Sequence, residues 1–360
     1  NVHTVSLPKP DDQKKWELGK SYDYELNVSL TAVTFGDVSV EDWGTPIPLT
    51  LCERTYDANN GTGERINETL FTGRDYPLID NTFAPPADTL IFYGWNTQAD
   101  GLGANYKPGD PIALSEDTRL YANWQRPFVN VETGAYLDGP VTYNNSTFTI
   151  EVDHKGYLVT GSTVTGNNSN RIVVKSGVTA TVTLRNASID VSSTAGTCAF
   201  DMAGATVTLK LEGNNVLKSG AQRAGLRAPA GAAITITSST NGTLTATGGA
   251  GEGGAGIGGG SGASYSSGEA GGTITITGGE VTATGGGANN YGAAGAGIGG
   301  GGGGEYATGG ATATYTGPGE PMQKNAWIGW DTATGNTAYV EAKSGDYGGS
   351  EAIGKGGDGS

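Results

Sequence analysis

Six cations offer the most pointed chemistry in this 360-residue sequence: Lys175, Arg185, Lys210, Lys218, Arg223 and Arg227. They lie in a stretch, residues 155–227, that holds eight basic residues against three acids, while the whole chain stands at 21 − 36 = −15. An overall charge of that sign disfavours nucleic acid as a partner. A local basic ladder on an acidic chain suits an anionic glycan, with ordinary solvated charges as the plain alternative. Arg185 and Lys210 each follow the same strand of successive repeats, so the pattern predicts that they stack one above the other.

Other chemistries are poorly served. Acid–base catalysis on a polysaccharide needs paired carboxylates. Asp153, Asp190 and Asp201 fall on different strand types, which makes a polysaccharide lyase or hydrolase the runner-up and a non-enzyme the leading reading. His3 and His154 are too few for a His-rich metal site, and Cys52 and Cys198 read as two separate thiols. Gly254-Ala255-Gly256-Ile257-Gly258-Gly259 and Gly295-Ala296-Gly297-Ile298-Gly299-Gly300 satisfy G-x-G-x-x-G, but more glycine follows where a dinucleotide fingerprint needs a helix. The glycine tracts carry no Asp between residues 248 and 304, so a calcium β-roll lacks its ligands and no cofactor follows from these residues. Threonine rows such as Thr235/Thr237, Thr245/Thr247, Thr273/Thr275/Thr277 and Thr282/Thr284 admit an ice-binding face, although threonine is also a good exposed strand residue.

The elements that carry these residues repeat. One strand recurs as Thr181-Val182-Thr183-Leu184, Thr206-Val207-Thr208-Leu209, Ile234-Thr235-Ile236-Thr237 and Ile274-Thr275-Ile276-Thr277, with a weaker copy at Ala311-Thr312-Ala313-Thr314-Tyr315. A second recurs as Cys198-Ala199-Phe200, Ala224-Gly225-Leu226, Ala255-Gly256-Ile257 and Ala296-Gly297-Ile298. A third recurs as Ser188-Ile189-Asp190-Val191, Asn215-Val216-Leu217, Leu244-Thr245-Ala246-Thr247 and Val281-Thr282-Ala283-Thr284. Three short strands per cycle predict a parallel β-helix with apolar columns inside and threonine outside. Aligning the strands this way gives cycles of 25, 27, 40 and 38 residues, the later ones lengthened by glycine after each Ala-Gly-Ile. Residues 248–304 hold 27 glycines in 57, without the three-residue period of collagen, and interior glycine disfavours helix. No apolar run is long enough to span a membrane.

The fold class expected is all-β: a small β-grasp-like spacer followed by a parallel β-helix with glycine-rich corner insertions. Residues 1–46 supply two strands, the first alternating from Tyr22 to Leu30, too few for a core of their own. Residues 47–126 form a turn-rich β unit whose core takes Trp95 and Trp124, residues 127–316 the β-helix, and residues 317–360 a cap and linker. Trp327 and Trp330 are expected to cap the last coil, and residues 354–360 to be disordered or to lead into a further domain.

Three resemblances add to this. Gly19-Lys20-Ser21-Tyr22-Asp23-Tyr24-Glu25-Leu26 and Val40-Glu41-Asp42-Trp43 resemble the closing strands of fimbrillin-like surface proteins of Bacteroidetes. Tyr56-Asp57-Ala58-Asn59-Asn60-Gly61, Phe92-Tyr93-Gly94-Trp95-Asn96 and Leu120-Tyr121-Ala122-Asn123-Trp124 resemble the Listeria–Bacteroides, or internalin B-type, repeat. Gly156-Tyr157-Leu158-Val159-Thr160-Gly161, Val182-Thr183-Leu184-Arg185-Asn186-Ala187-Ser188-Ile189 and Gly271-Gly272-Thr273-Ile274-Thr275-Ile276-Thr277 are similar to a bacterial β-helical carbohydrate-binding family. Together they imply a cell-surface, extracellular adhesion or carbohydrate-binding protein. It would be held to an outer membrane through further upstream domains, with a glycan or another surface ligand as partner. The last family also implies calcium, yet glycine stands here where its members carry Asp. A purely structural stalk is the remaining alternative.

Overall fold

The computed structural model describes residues 20–28, 33–42, 50–288, 292–317, 323–324, 326–331, 338–346 and 349–359. Lys20–Val28 and Val33–Asp42 pair antiparallel as a two-stranded ribbon. Residues 50–125 build a mixed sheet in the order Ile66–Phe71, Leu51–Asp57, Thr118–Gln125, Ile91–Asn96, Asn105–Tyr106, with Leu51–Asp57 parallel to Thr118–Gln125. Tyr56, Phe83 and Phe92 surround the fully buried Trp95, whose indole N–H donates to the Ile79 carbonyl at 2.9 Å. Trp124 packs at the edge of this core and donates to the Ala58 carbonyl at 2.8 Å. Both indoles are thus structural, with their polar tips satisfied inside the unit.

From Phe128 onward the chain winds through three parallel sheets. The first comprises Phe128–Asn130, His154–Thr160, Thr179–Arg185, Thr206–Glu212, Ala233–Thr237, Thr273–Ile276 and Thr314–Thr316. The second runs from the hairpin Val141–Asn144 and Thr147–Ile150 through Arg171–Val174, Phe200–Asp201, Leu226–Arg227, Ile257–Gly258 and Ile298–Gly299 to Glu351–Gly354. The third stacks Ser188–Asp190, Asn214–Lys218, Thr243–Thr247, Gly279–Thr284 and Ala338–Lys343. Alternate residues point inward and stack in register, as in Val182–Leu209–Ile236–Ile276 and Phe148–Ile172–Phe200–Leu226–Ile257–Ile298–Ile353. These columns form one continuous core that no single coil could bury.

The sequence places the end of the helix at residue 316, but the coils continue beyond it. Ala338–Lys343 pairs parallel with Gly279–Thr284, and Glu351–Gly354 with Ile298–Gly299, which adds a further coil. Glu351-Ala352-Ile353-Gly354 stands where earlier coils carry Ala-Gly-Ile-Gly, and that echo was available in the sequence. Ala326–Asp331 then pairs antiparallel on Ala338–Lys343 and closes that sheet. The side chains of Trp327 and Trp330 lie outside the described residues.

The glycine inserts are built of backbone packed on backbone. Gly300 and Gly303 donate to the Gly354 and Gly357 carbonyls, Gly301 to Glu269, and Gly302 to Gly253. A partner that returns every third residue marks an extended, three-residue-per-turn strand of the polyproline II kind, which makes no hydrogen bonds within itself. Gly259 and Gly262 repeat the spacing, donating to Gly299 and Gly302. Residues 356–359, expected to be loose, belong to the same slab: Gly356, Gly357 and Gly359 donate to Gly310, Ala294 and Ala307. Side chains are sterically shut out. A Cβ on Gly249 would meet the Gly220 carbonyl oxygen at 1.8 Å, one on Gly286 the Gly249 oxygen at 1.9 Å, and one on Gly345 the Gly286 oxygen at 2.0 Å.

Candidate functional site

The six sequence-predicted cations are spread over three faces. Arg185 and Lys210 lie on the first sheet, Lys175 and Arg227 on or next to the second, Lys218 on the third, and Arg223 at the corner between the third and second. Four are rungs between coils. Lys175 pairs with Glu151 at 2.9 Å, Lys218 with Asp190 at 3.6 Å, Arg185 with Glu212 at 2.6 Å, and Arg227 with both Asp201 at 3.0 Å and Glu269 at 2.5 Å. Arg223 donates to the Gly196 carbonyl at 3.0 Å.

Arg227 is the most enclosed of them, at 16% exposure. Its hydrogen bonds to Glu269, and the neighbouring Asp201 charge, raise its affinity for its proton above that of free arginine against the effect of burial. Burial by itself would raise the Glu269 carboxyl, but Arg227 and the Gly260 N–H outweigh it and hold Glu269 below the usual range. This pair fastens the return arm of the glycine insert to the coil beneath and is structural.

The expected stacking of Arg185 on Lys210 is corrected by the register. Thr183 stands opposite Lys210, and Arg185 opposite Glu212. Thr179 pairs with Thr206, so the coil spans 206 − 179 = 27 residues where matching the two Thr-Val-Thr-Leu strings suggests 25. The last cycle likewise spans 314 − 273 = 41 residues where the sequence suggested 38.

Around Lys210 the first sheet nevertheless gathers charge and hydroxyls. Lys210 is exposed and has no ion pair among the described residues, and with Glu212, Thr237, Ser238 and Ser239 it lines a shallow groove. Arg126, which the sequence reading passed over because it ends the spacer, reaches onto the same face. Its guanidinium donates to the Thr183 hydroxyl at 2.9 Å and to the Gly156 carbonyl at 2.7 Å. Burial and the positive charge of Arg185 both lower its hold on its proton, which places the two guanidiniums in one electrostatic neighbourhood. Beyond them run two in-register rows, Thr179–Thr206–Ala233–Thr273–Thr314 and Thr181–Thr208–Thr235–Thr275–Thr316.

The candidate acids are occupied. Asp153 accepts the Thr179 N–H at 2.7 Å, Asp190 accepts from Ser192 and faces Lys218, and Asp201 holds Arg227. Among the described residues no three His, Cys, Asp or Glu side chains converge as a metal cluster. Cys52 and Cys198 are both free and buried. Burial pushes the Cys198 thiol up to about 12, with Asp201 adding to it, so the thiol stays protonated and inert. No helix among the described residues is long and apolar enough to cross a membrane. No family model, curated protein or solved structure matches the chain.

Proposed function

We propose that this chain is a non-catalytic glycan-binding adhesion protein of a cell surface, in which the outward face of the first sheet receives the ligand. The observation that carries the reading is the meeting of Arg126, of Arg185 with its partner Glu212, and of Lys210, which has no ion pair among the described residues, at one end of a hydroxyl-lined, in-register face. Parallel strands about 4.8 Å apart repeat the same groups coil after coil, which suits a polymer with a repeat of its own. The cations favour carboxylated sugar at that end, and the threonine rows offer neutral hydrogen bonds along the rest. The engagement of Asp153, Asp190 and Asp201 in backbone and ion-pair contacts supports binding over acid–base chemistry. The spacer, joined to the first coils through Arg126 and the Lys155–Asp88 pair, would hold the face away from its anchor.

The test is binding to polygalacturonate and other uronic-acid polymers in low and physiological salt. Lys210→Ala with Arg185→Ala is expected to weaken binding by about tenfold and to flatten its salt dependence. Equal affinity of the altered and unaltered proteins would defeat the cationic face.

A further inference from the structure

Tyr265 and Tyr306 sit one coil apart at the tip of the glycine inserts, and both are exposed. Their rings are nearly parallel, 19° between planes with centroids 6.1 Å apart. Tyr265 is 71% and Tyr306 75% exposed, so each ring keeps open face for a ligand beside its neighbour. Both backbones are left-handed, with φ of 63° and 52°. Ser266 N–H donates to the Ala263 carbonyl and Ala307 N–H to Gly304, so each tyrosine occupies the third position of a tight turn. Glycine or asparagine belongs there, and a bulky aromatic at positive φ is a strained choice. In the most glycine-rich part of the chain, tyrosine twice takes the place where glycine would cost least. Such strain is kept where the side chain has work to do.

We propose that Tyr265 and Tyr306 form a stacking platform for neutral hexopyranose rings, a second sugar site separate from the cationic face. A gluco-configured pyranose presents axial C–H bonds on both faces. Those polarised hydrogens pack on the negative face of a phenol ring, as edge-on donors do. Two rings one coil apart suit successive residues of a β-linked chain. Hydroxyls flank the platform at Ser264, Ser267 and Thr308, the last two within 2.9 Å of each other. The charge near it disfavours acidic sugar: residues 228–323 contain no Lys or Arg, Glu305 adjoins Tyr306, and Lys355 of the next coil is paired with Asp358 at 2.6 Å.

The test uses the full chain, a soluble mixed-linkage β-glucan, and polygalacturonate as a separate arm, read by affinity electrophoresis and calorimetry. The double variant Tyr265→Gly with Tyr306→Gly removes the rings and relieves the backbone, so folding is preserved and melting does not fall. It is expected to bind β-glucan about tenfold more weakly, or not at all, while polygalacturonate binding is unchanged. Tyr265→Phe with Tyr306→Phe keeps the rings and is expected to keep the affinity. Undiminished β-glucan binding by the glycine variant overturns the platform, as does loss of binding in the phenylalanine variant. Failure of the unaltered chain to bind β-glucan also overturns it, and leaves the polygalacturonate arm to decide the cationic face.

Discussion

At the residue scale, glycine does a different job at different positions of the same tract. At Gly249, Gly286 and Gly345 the constraint is space, because each Cα lies under the carbonyl of the glycine one coil earlier. At Gly231 nothing lies within 4 Å of an added Cβ, and only a φ of +87° speaks for glycine. The two substitutions therefore separate sterics from backbone strain. Gly286→Ala must push the Gly249 carbonyl aside or break its layer, and is expected to destabilise by about 3 kcal/mol or more. Gly231→Ala meets only left-handed strain and should cost about 1 kcal/mol. Denaturant melts of the two variants measure the difference. Equal losses would mean that the carbonyl columns are not close-packed.

At the element scale, the question is which side chains help fasten a glycine-rich insert to the coil that carries it. Arg227 is the tie: it reaches from the Leu226–Arg227 strand to Asp201 on the coil before and to Glu269 on the insert's return arm, where Glu269 also accepts the Gly260 N–H at 2.8 Å. Glu269 has its folded pKa below the unfolded value near 4.3. Its contribution is fully present above that value and is lost as pH falls through the lower, folded one. Melting temperature should thus drop as the solution is acidified below about pH 4, and Glu269→Gln should be less stable at neutral pH with a flatter profile. An unchanged acid limb in Glu269→Gln would remove Glu269 as the responsible group. Arg227→Met, which strands two carboxylates, is expected to cost about 2–4 kcal/mol at pH 7.

The same scale explains what could be read from sequence. Strand identity and the three-sheet coil were legible because an apolar–hydroxyl alternation has only one way to face a core. The register of Arg185 and Lys210 was not. A two-residue slip keeps every side chain on its correct face, so the alternation that reveals the strands is blind to it. The spacing is set instead by corner turns such as the left-handed Asn186, whose carboxamide oxygen accepts the Asn214 N–H. Arg126 went unseen for a related reason: it joins the face from the spacer's end, a long-range contact with no local pattern. The final coil carried a readable echo in Glu351-Ala352-Ile353-Gly354, and the order of the glycine tracts did not, since their partners lie on other coils.

On the scale of the whole molecule, stability passes along a stack in which each coil contacts its neighbours. In the inserts this holds for backbone amides: Gly253 donates to Ala293, Gly302 to Gly253, Gly303 to Gly357, and Gly356 to Gly310. Composition alone would class residues 248–304 as a flexible linker. Hydrogen exchange decides between the two. The amides of Gly253, Gly256, Gly301 and Gly302 are expected to exchange as slowly as those of the core strands, because each is buried and bonded to another coil. Removing residues 317–360 takes away the partners that residues 300 and 303 donate to and bares the apolar row at Ile298. Protection in residues 292–310 should then fall first, with the melting temperature lower by on the order of 5–10 °C, while the amides of Thr179–Arg185 keep theirs. Uniform loss along the chain would make the coils one cooperative unit, and rapid exchange of the glycines in the intact chain would dissolve the slab into a fringe.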